Sequence, residues 1–192
     1  FGRAEFRLDE LSRGDLRGAR FDEAALEGAD LSGRDLSGCA FRMCNLRRAR
    51  LAKAVLDEVD FSESDLTEAD LTAAHGTAAD FAEARLSNPD FSDAELVAAD
   101  FESARLDGTN LARTRFRRTS FEGLDLSAVR IERTSFVECD LTGVRLSGRD
   151  LSGCEFADAI LDGADLTGAN LSRAVARGCD FGSAKLRGAT LA

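Results

Sequence analysis

The feature that most constrains this chain is a sequence period of five that runs through its 192 residues without a slip. Starting at Phe1, every fifth position holds Phe, Leu or Ile, and the exceptions among 39 such centres are Gly76 and Ala176. All 13 Phe residues lie in this register. A period of five matches neither the roughly 3.6 residues of a helical turn nor the two-residue alternation of a flat strand. Each pentad must therefore turn the chain and return a large side chain to a common core.

A second regular position lies two residues before each centre, and it is small. Of 38 such positions, 19 hold Ala, five hold Cys and nine hold Thr, Val, Ser or Gly. The residues that break this rule are Asp9, Arg34, Pro89, Leu124 and Arg149. Asp is commonest just before the centre, and Gly most often follows the centre by two. This pattern predicts that the small residue packs inward, that Asp accepts backbone N–H groups at a corner, and that Gly supplies positive φ.

The Phe residues indicate how many pentads make one turn. Eight of them fall at positions 1, 21, 41 and every twentieth residue after, and Phe116, Phe136 and Phe156 form a second column with the same spacing. Four pentads therefore make one square coil, with rings stacked about 4.8 Å apart. We call the pentads centred on residues 1, 21, 41 and onward face 1. Faces 2, 3 and 4 begin at centres 6, 11 and 16.

The charge of the chain is concentrated on one of these faces. The net charge is −10 and the pI is about 4.7, which disfavours direct binding to nucleic acid. Face 1 carries −9 of this charge. The densest part, which we call the acidic ladder, consists of Asp60, Glu63, Asp80, Glu83, Asp100 and Glu102. Its repeat resembles the roughly 3.4 Å phosphate spacing of a DNA strand, although acidic side chains also keep a rod soluble. Asp80 and Glu83 are expected to point outward, so that reversing both leaves the fold intact.

Few residues offer catalytic or metal-binding chemistry. His75 stands where Asp is usual and is interpreted as a surface turn residue. Cys39, Cys44, Cys139, Cys154 and Cys179 all occupy the small inward position and are interpreted as reduced core residues. No spacing completes a zinc site or a phosphate-binding loop, so we expect no enzyme activity, no metal and no cofactor. No apolar run approaches the length of a membrane span and no signal peptide opens the chain, which predicts a cytoplasmic protein without membrane contact.

The repeat resembles that of the pentapeptide-repeat family. The pattern Ala, Asp or Asn, Leu and two variable residues occurs at 29–33, 69–73 and 164–168, and the resemblance covers essentially the whole chain. It implies an all-β fold, a right-handed quadrilateral parallel β-helix of about nine to ten coils, as a single repeat domain over 1–192. Members of the quinolone-resistance and albicidin-resistance type are rod-like DNA mimics that bind DNA gyrase and topoisomerase IV. Unlike many of these, this register has no inserted loop and no terminal helix.

Two functional hypotheses follow. In the first, the acidic ladder binds DNA gyrase or topoisomerase IV, and the protein modulates topoisomerase poisons such as quinolones. In the second, the chain is a structural or adaptor rod with an unknown protein partner.

Two local expectations concern the exceptions to the period. At Gly76 we expect an irregular or pinched coil rather than a void, because an empty centre is costly. The last coil lacks a polar cap, which predicts a homodimer through the C-terminal coil. Its interface residues would be Leu171, Ala176, Phe181, Leu186 and Leu191.

Overall fold

The chain winds into a parallel β-helix with four pentads in each coil, and the computed structural model describes residues 14–191 of it. Backbone bridges join residues twenty positions apart, as between Arg20 and Ala40 and between Asp165 and Lys185. Residues twenty positions apart therefore lie on the same face in successive coils. The prediction of four pentads to a coil is therefore confirmed.

Most pentads close with a β-turn that starts at the centre residue. For example, the Ala29 N–H donates to the Leu26 carbonyl at 3.0 Å. The third residue of the turn has positive φ, as at Gly28 (68°) and Lys53 (60°), which is the pattern of a type II turn. In the described residues 13 Gly and 20 other residues adopt this conformation. The left-handed region costs a non-Gly residue about 1 to 2 kcal/mol. Inter-coil bonds such as Lys53 N–H to the Thr72 carbonyl (2.9 Å) hold it in place.

Asp side chains fasten these turns, as the sequence predicts. Oδ1 of Asp70 accepts the Thr72 N–H at 2.9 Å and the Thr72 hydroxyl at 2.5 Å. Oδ1 of Asp150 accepts the Ser152 N–H at 3.0 Å in the same way. Where Asp precedes a centre, its own side chain can therefore close the corner.

In four pentads of face 4 a short strand covers the centre and its two neighbours, and the next residue keeps the positive φ of the other pentads, as at Ala78 (58°). The strands are β1 (His75–Thr77), β2 (Glu95–Val97), β3 (Arg115–Arg117) and β4 (Ser135–Val137). They form one parallel sheet in the order β1-β2-β3-β4, with Gly76, Leu96, Phe116 and Phe136 in register. Between residues 14 and 191 there is no helix of the length and apolarity that crossing a bilayer requires.

The core is built from columns of stacked side chains. On face 1, neighbouring rings lie 4.8 to 5.3 Å apart along the column Phe21, Phe41, Phe61, Phe81, Phe101 and Phe121. On face 4, the rings of Phe116, Phe136 and Phe156 stack at 5.7 and 5.5 Å. The two columns meet edge to face, as at Phe116 and Phe121, where the ring centroids are 5.0 Å apart. These distances lie in the range favoured for aromatic pairs, and the predicted axial stacking is confirmed.

The small inward position is filled as expected. Cys39 is buried, and its Sγ donates to the Leu16 carbonyl at 2.8 Å. Thr109 is also buried, and its hydroxyl donates to the Leu86 carbonyl at 2.9 Å. At these two positions the small donor supplies a hydrogen bond to the centre residue of a pentad in the preceding coil as well as packing.

Gly76 lies inside β1, where it is buried and its backbone packs against the backbone of Leu56. Leu96, Phe116 and Phe136 lie in the same kind of strand, so the feature particular to Gly76 is its close contact with the Leu56 backbone. The expectation of an irregular coil in place of a void is confirmed.

Arg149 is a large residue at a small position, and it remains half-buried. Its Nη2 donates to the Val129 carbonyl at 2.6 Å. In most coils that carbonyl would accept a backbone N–H, as the Cys139 carbonyl accepts from Ile160 at 2.9 Å. An inward Arg can therefore be accommodated because its guanidinium takes over a backbone bond of the coil.

Candidate partner-binding site

The three Asp residues of the acidic ladder stack in register on face 1. Asp60 bridges Asp80, and Asp80 bridges Asp100, so their backbones are neighbours about 4.8 Å apart. Each Asp also fastens its own turn. Oδ1 of Asp80 accepts the Ala82 N–H at 2.8 Å, and Oδ1 of Asp100 accepts the Glu102 N–H at 2.8 Å. Asp80 is half-buried and closes a turn, so reversing it to Lys removes a turn hydrogen bond as well as a charge.

The three Glu residues of the ladder are different. Glu63, Glu83 and Glu102 are exposed, and their carboxylates accept no hydrogen bond from residues 14–191. Glu63 and Glu83 occupy the left-handed turn position, with φ of 59° and 56°. A substitution of these Glu side chains therefore changes charge without removing a turn contact.

One end of the ladder is partly neutralised by the preceding coil. Arg42 Nε lies 3.7 Å from Asp60 Oδ2, and Arg42 Nη2 lies 3.5 Å from Glu63 Oε1. Pairs this exposed contribute about 1 kcal/mol or less. The other four carboxylates of the ladder, those of Asp80, Glu83, Asp100 and Glu102, form no ion pair within the described part of the chain. The uncompensated charge is therefore centred on residues 80–102.

Acidic residues on faces 2 and 3 are paired more often. Arg48 Nε lies 2.7 Å from Glu68 Oε2, and Arg113 Nη2 lies 2.7 Å from Asp93 Oδ2. In both pairs the partners are twenty residues apart, so the pair links successive coils. Hydrogen bonds from Arg113 lower the pKa of the Asp93 carboxyl. The concentration of charge on face 1 thus reflects missing cations as well as added carboxylates.

A groove beside the ladder was not predicted from the sequence. It has a volume of about 840 Å³, and its lining includes Asp100 and Glu102 from one coil and Arg118, Glu122 and Leu124 from the next. Leu124 is one of the residues that break the small-residue rule. The presence of Leu at a small position was the signal in the sequence, but the groove itself depends on contacts between adjacent coils.

The five Cys residues are free thiols. Burial raises the pKa of Cys44 to about 11 and that of Cys139 to about 12. His75 is exposed at the start of β1. Over residues 14–191, no group of His, Cys, Asp and Glu side chains is arranged to hold a metal ion. These residues therefore offer no alternative to face 1 as a candidate site.

The residues predicted to form a dimer interface differ in exposure. Leu171 is buried, Phe181 and Leu186 are half-buried, Ala176 is exposed and Leu191 is 68% exposed. The other four side chains therefore expose apolar surface to solvent, whereas Leu171 does not.

Comparison with known proteins agrees with this fold. Profiles of pentapeptide repeats match residues 10–38, 94–133, 139–175 and 154–191. A profile of a pentapeptide repeat region matches residues 34–111. The chain belongs to the pentapeptide-repeat family, and its four-pentad parallel β-helix is the right-handed quadrilateral fold of that family.

Several solved structures are similar to this chain. HetL, a pentapeptide repeat protein involved in heterocyst differentiation regulation from the cyanobacterium Nostoc sp. strain PCC 7120, is 29% identical over 95% of this chain and 94% of its own, with a TM-score of 0.34. Full-length QnrB1, a plasmid-mediated fluoroquinolone resistance protein, is 17% identical over 88% of this chain and 90% of its own, with a TM-score of 0.49. A pentapeptide repeat protein of the Arabidopsis thaliana thylakoid lumen is 25% identical over 59% of this chain and 75% of its own, with a TM-score of 0.28. No curated protein sequence matches this chain.

Proposed function

We propose that this protein is a non-enzymatic DNA mimic that binds DNA gyrase or topoisomerase IV. In this proposal the acidic ladder contacts the basic, DNA-contacting surface of the enzyme, and the protein protects against or modulates topoisomerase poisons. The observation that carries the proposal is the unpaired, stacked set Asp80, Glu83, Asp100 and Glu102 on face 1. Its axial repeat of about 4.8 Å is of the same order as the roughly 3.4 Å phosphate spacing of a DNA strand.

The fold alone does not select this function. QnrB1 is a fluoroquinolone resistance protein, whereas HetL is involved in regulating heterocyst differentiation, and one fold commonly serves several functions. The charge distribution is what favours the DNA mimic here. The same negative face disfavours direct binding to nucleic acid or to anionic membranes. We further propose that it is a cytoplasmic protein that binds another protein and needs no cofactor.

A supercoiling assay tests this proposal directly. Purified gyrase would be assayed on relaxed plasmid with and without this protein, and with and without a fluoroquinolone. The expected result is inhibition of supercoiling by excess protein, or protection of gyrase from drug-induced cleavage. Either effect should weaken as salt rises, because screening reduces attraction between charged surfaces. Unchanged supercoiling and unchanged cleavage at low salt would rule out the proposal for gyrase, and topoisomerase IV would be tested by decatenation in the same way.

The adaptor rod is the second candidate, and exposed apolar side chains favour it. Ile160 is 44% exposed and Val175 is 48% exposed near the C-terminal end of the described chain. Both positions hold Asp, Asn or another polar residue in most other pentads. A partner bound through these side chains would be insensitive to salt and to charge changes on face 1, which distinguishes it from a topoisomerase bound by the acidic ladder.

We also propose a homodimer through the C-terminal coil. Ala176, Phe181, Leu186 and Leu191 would pack against the same residues of a second copy, as a two-fold interface requires. The expected mass in light scattering at micromolar concentrations is twice that of the chain. A monomeric mass would contradict the dimer and leave the topoisomerase proposal unaffected.

A further inference from the structure

The ladder of backbone bridges between coils is interrupted on face 3. Bridges join Asn110 to Arg130 and Asp150 to Asn170, but in the described chain no bridge joins Arg130 to Asp150. The same two coils remain bridged on the other three faces, at Ser120 and Asp140, Asp125 and Arg145, and Ser135 and Glu155. The interruption is therefore confined to one face of the rod, between coils that are held about 4.8 Å apart elsewhere.

Two backbone N–H groups at this interruption have no acceptor. In the preceding coil the N–H groups at the equivalent positions, those of Leu111 and Arg113, each donate at 2.8 Å to a carbonyl of the next coil. The N–H groups of Ile131 and Arg133 make no hydrogen bond within residues 14–191. Because the N–H at these positions points toward the next coil, both groups face the coil that contains Arg149.

The turn of the same pentad is open as well. In the pentads one coil earlier and one coil later, the fourth residue of the turn closes it with an N–H bond of 3.1 Å, at Thr114 and Cys154. Thr134 is fully buried, yet its N–H makes no such bond to the Ile131 carbonyl. The pentad centred on Ile131 therefore departs from the regular geometry both within its turn and toward the next coil.

Arg149 enters this interruption from the adjacent coil. Its Nη2 donates to the Val129 carbonyl at 2.6 Å, in place of the Asp150 N–H of a regular coil. Among the described residues, Arg149 Nε is the one buried side-chain nitrogen or oxygen without a hydrogen-bond partner. Arg149 also forms no ion pair with any residue between 14 and 191. A half-buried guanidinium thus lacks both a partner for Nε and a counter-charge.

We propose that this interruption is a binding site for a small inorganic anion such as chloride, held by Arg149 Nε and the N–H groups of Ile131 and Arg133. Buried polar groups are nearly always hydrogen-bonded, and a charge removed from water needs a partner. Backbone N–H groups without a protein acceptor are a common way of binding anions. A water molecule would pair these donors with the carbonyl groups of Asp150 and Ser152, which receive no inter-coil bond, but it would leave the guanidinium charge uncompensated.

The three intact bridges limit the size of the ion. Coils held about 4.8 Å apart on the other faces favour a monatomic anion over a tetrahedral oxyanion such as sulfate. The site lies on face 3 and does not depend on the proposed topoisomerase partner, so no result with gyrase bears on it.

The first experiment follows backbone amide signals by NMR while the anion is changed. The isotope-labelled full chain would be kept at constant ionic strength while chloride replaces gluconate, and in a second series while sulfate replaces gluconate. Chloride should shift the Ile131 and Arg133 signals to saturation and leave those of Leu111 and Arg113 unchanged, and sulfate should shift none of the four. Absent or non-saturating shifts with chloride would overturn the proposal in favour of water, and an equal response to sulfate would overturn the small anion.

The second experiment removes the guanidinium. Arg149→Ala restores the commonest residue of the small inward position, so the variant should fold, pair the Ile131 N–H with the next coil and lose the chloride response. Arg145→Ala is the matched control, because it removes the same charge from an exposed position in the same coil, and it should keep the response. In hydrogen exchange, saturating chloride should slow the Ile131 amide of the parent roughly tenfold, the equivalent of about one charge-assisted hydrogen bond. A response that Arg149→Ala retains, or that Arg145→Ala also loses, would contradict the site.

A third variant covers the case in which Arg149→Ala abolishes the response only by closing the interruption. Arg149→Met keeps a long inward side chain and removes the charge and all N–H donors of the guanidinium. It should leave the Ile131 amide as exchangeable as in the parent in gluconate and make it insensitive to chloride. If Arg149→Met still responds to chloride, the ion is not held by the guanidinium and the proposal fails.

Discussion

A Cβ atom placed on Gly76 would lie 2.5 Å from the carbonyl carbon of Leu56 and 2.7 Å from its carbonyl oxygen. The two residues occupy the same column of face 4 in successive coils. Real side chains do not approach a backbone this closely, so Gly76 is required by the contact between coils. The sequence shows a missing Leu or Phe at this centre, and the structure shows that the backbone has moved into the space.

Replacing Gly76 with Ala should therefore destabilise the protein strongly. The added methyl group meets backbone atoms that cannot move without breaking the ladder, and overpacking of this kind costs about 3 kcal/mol. Gly33→Ala is the matched control, because Gly33 has a φ of 64° and a Cβ added there would have no heavy atom within 4 Å. It should lose only about 1 kcal/mol. Urea unfolding of both variants measures the difference, and equal losses would contradict the proposed contact.

The stability of the fold should fall in acid. Hydrogen bonds from the Ser37 hydroxyl and backbone N–H lower the pKa of the Asp35 carboxyl, and those from Thr167 lower the pKa of Asp165. A lowered pKa in the folded state means that the ionised form stabilises the fold above the unfolded pKa. That contribution is lost as the pH falls below about 4 toward the folded value. The free energy of unfolding should therefore be level near neutral pH and decrease below about pH 4.

Asp165→Asn should reduce this dependence on pH. Asn can fasten the same turn, as Asn170 does by accepting the Ser172 N–H at 3.0 Å, but it does not titrate. Asp107→Asn is the control, because the Asp107 side chain makes no hydrogen bond to the described residues. Urea titrations between neutral pH and about pH 2 would measure both slopes. An Asp165→Asn slope equal to that of the parent would show that this carboxyl does not contribute to the acid response.

The cysteines should differ in reactivity. Burial raises the pKa of the Cys139 thiol to about 12, and this disfavours the thiolate, which is the reactive form. Cys179 is half-buried and its pKa is also raised by burial. In a mass-spectrometric time course with iodoacetamide, Cys179 should be alkylated first, and Cys139 only after unfolding in urea. Rapid labelling of Cys139 in the native protein would contradict its place in the core.

The acidic ladder should be tested through its Glu residues. Glu83→Lys with Glu102→Lys reverses two charges without removing an Asp that fastens a turn, and it should weaken binding to gyrase roughly tenfold or more. Glu95→Lys with Asp107→Lys changes the net charge equally on faces 4 and 2 and should have a much smaller effect. Binding would be measured by surface plasmon resonance at several salt concentrations. Equal effects of the two double variants would indicate that only net charge matters.

The sequence by itself determined the repeating unit and the identity of the core. A strict period of five with large and small apolar residues at fixed positions allows only a coil that returns each centre inward. The Phe columns added the number of pentads per coil, because stacked aromatic rings must repeat along the axis. Asp at the corners and Gly at the positive-φ position were predictable for the same reason. The Asp and Gly positions depend on residues within one pentad, and the Phe columns depend on a spacing that is also visible in the sequence.

Only the tertiary structure decided what happens where residues twenty positions apart meet. The sequence marks Gly76 as irregular, but the Leu56 backbone that makes it a close approach lies in the adjacent coil. Likewise, Asp80 and Glu83 look equivalent in the sequence. Asp80 fastens a turn and Glu83 is free, because one carboxylate reaches a backbone N–H and the other projects into solvent. The periodic pattern encodes the direction of each side chain, whereas the contacts of that side chain depend on the residues stacked above and below it in the adjacent coils.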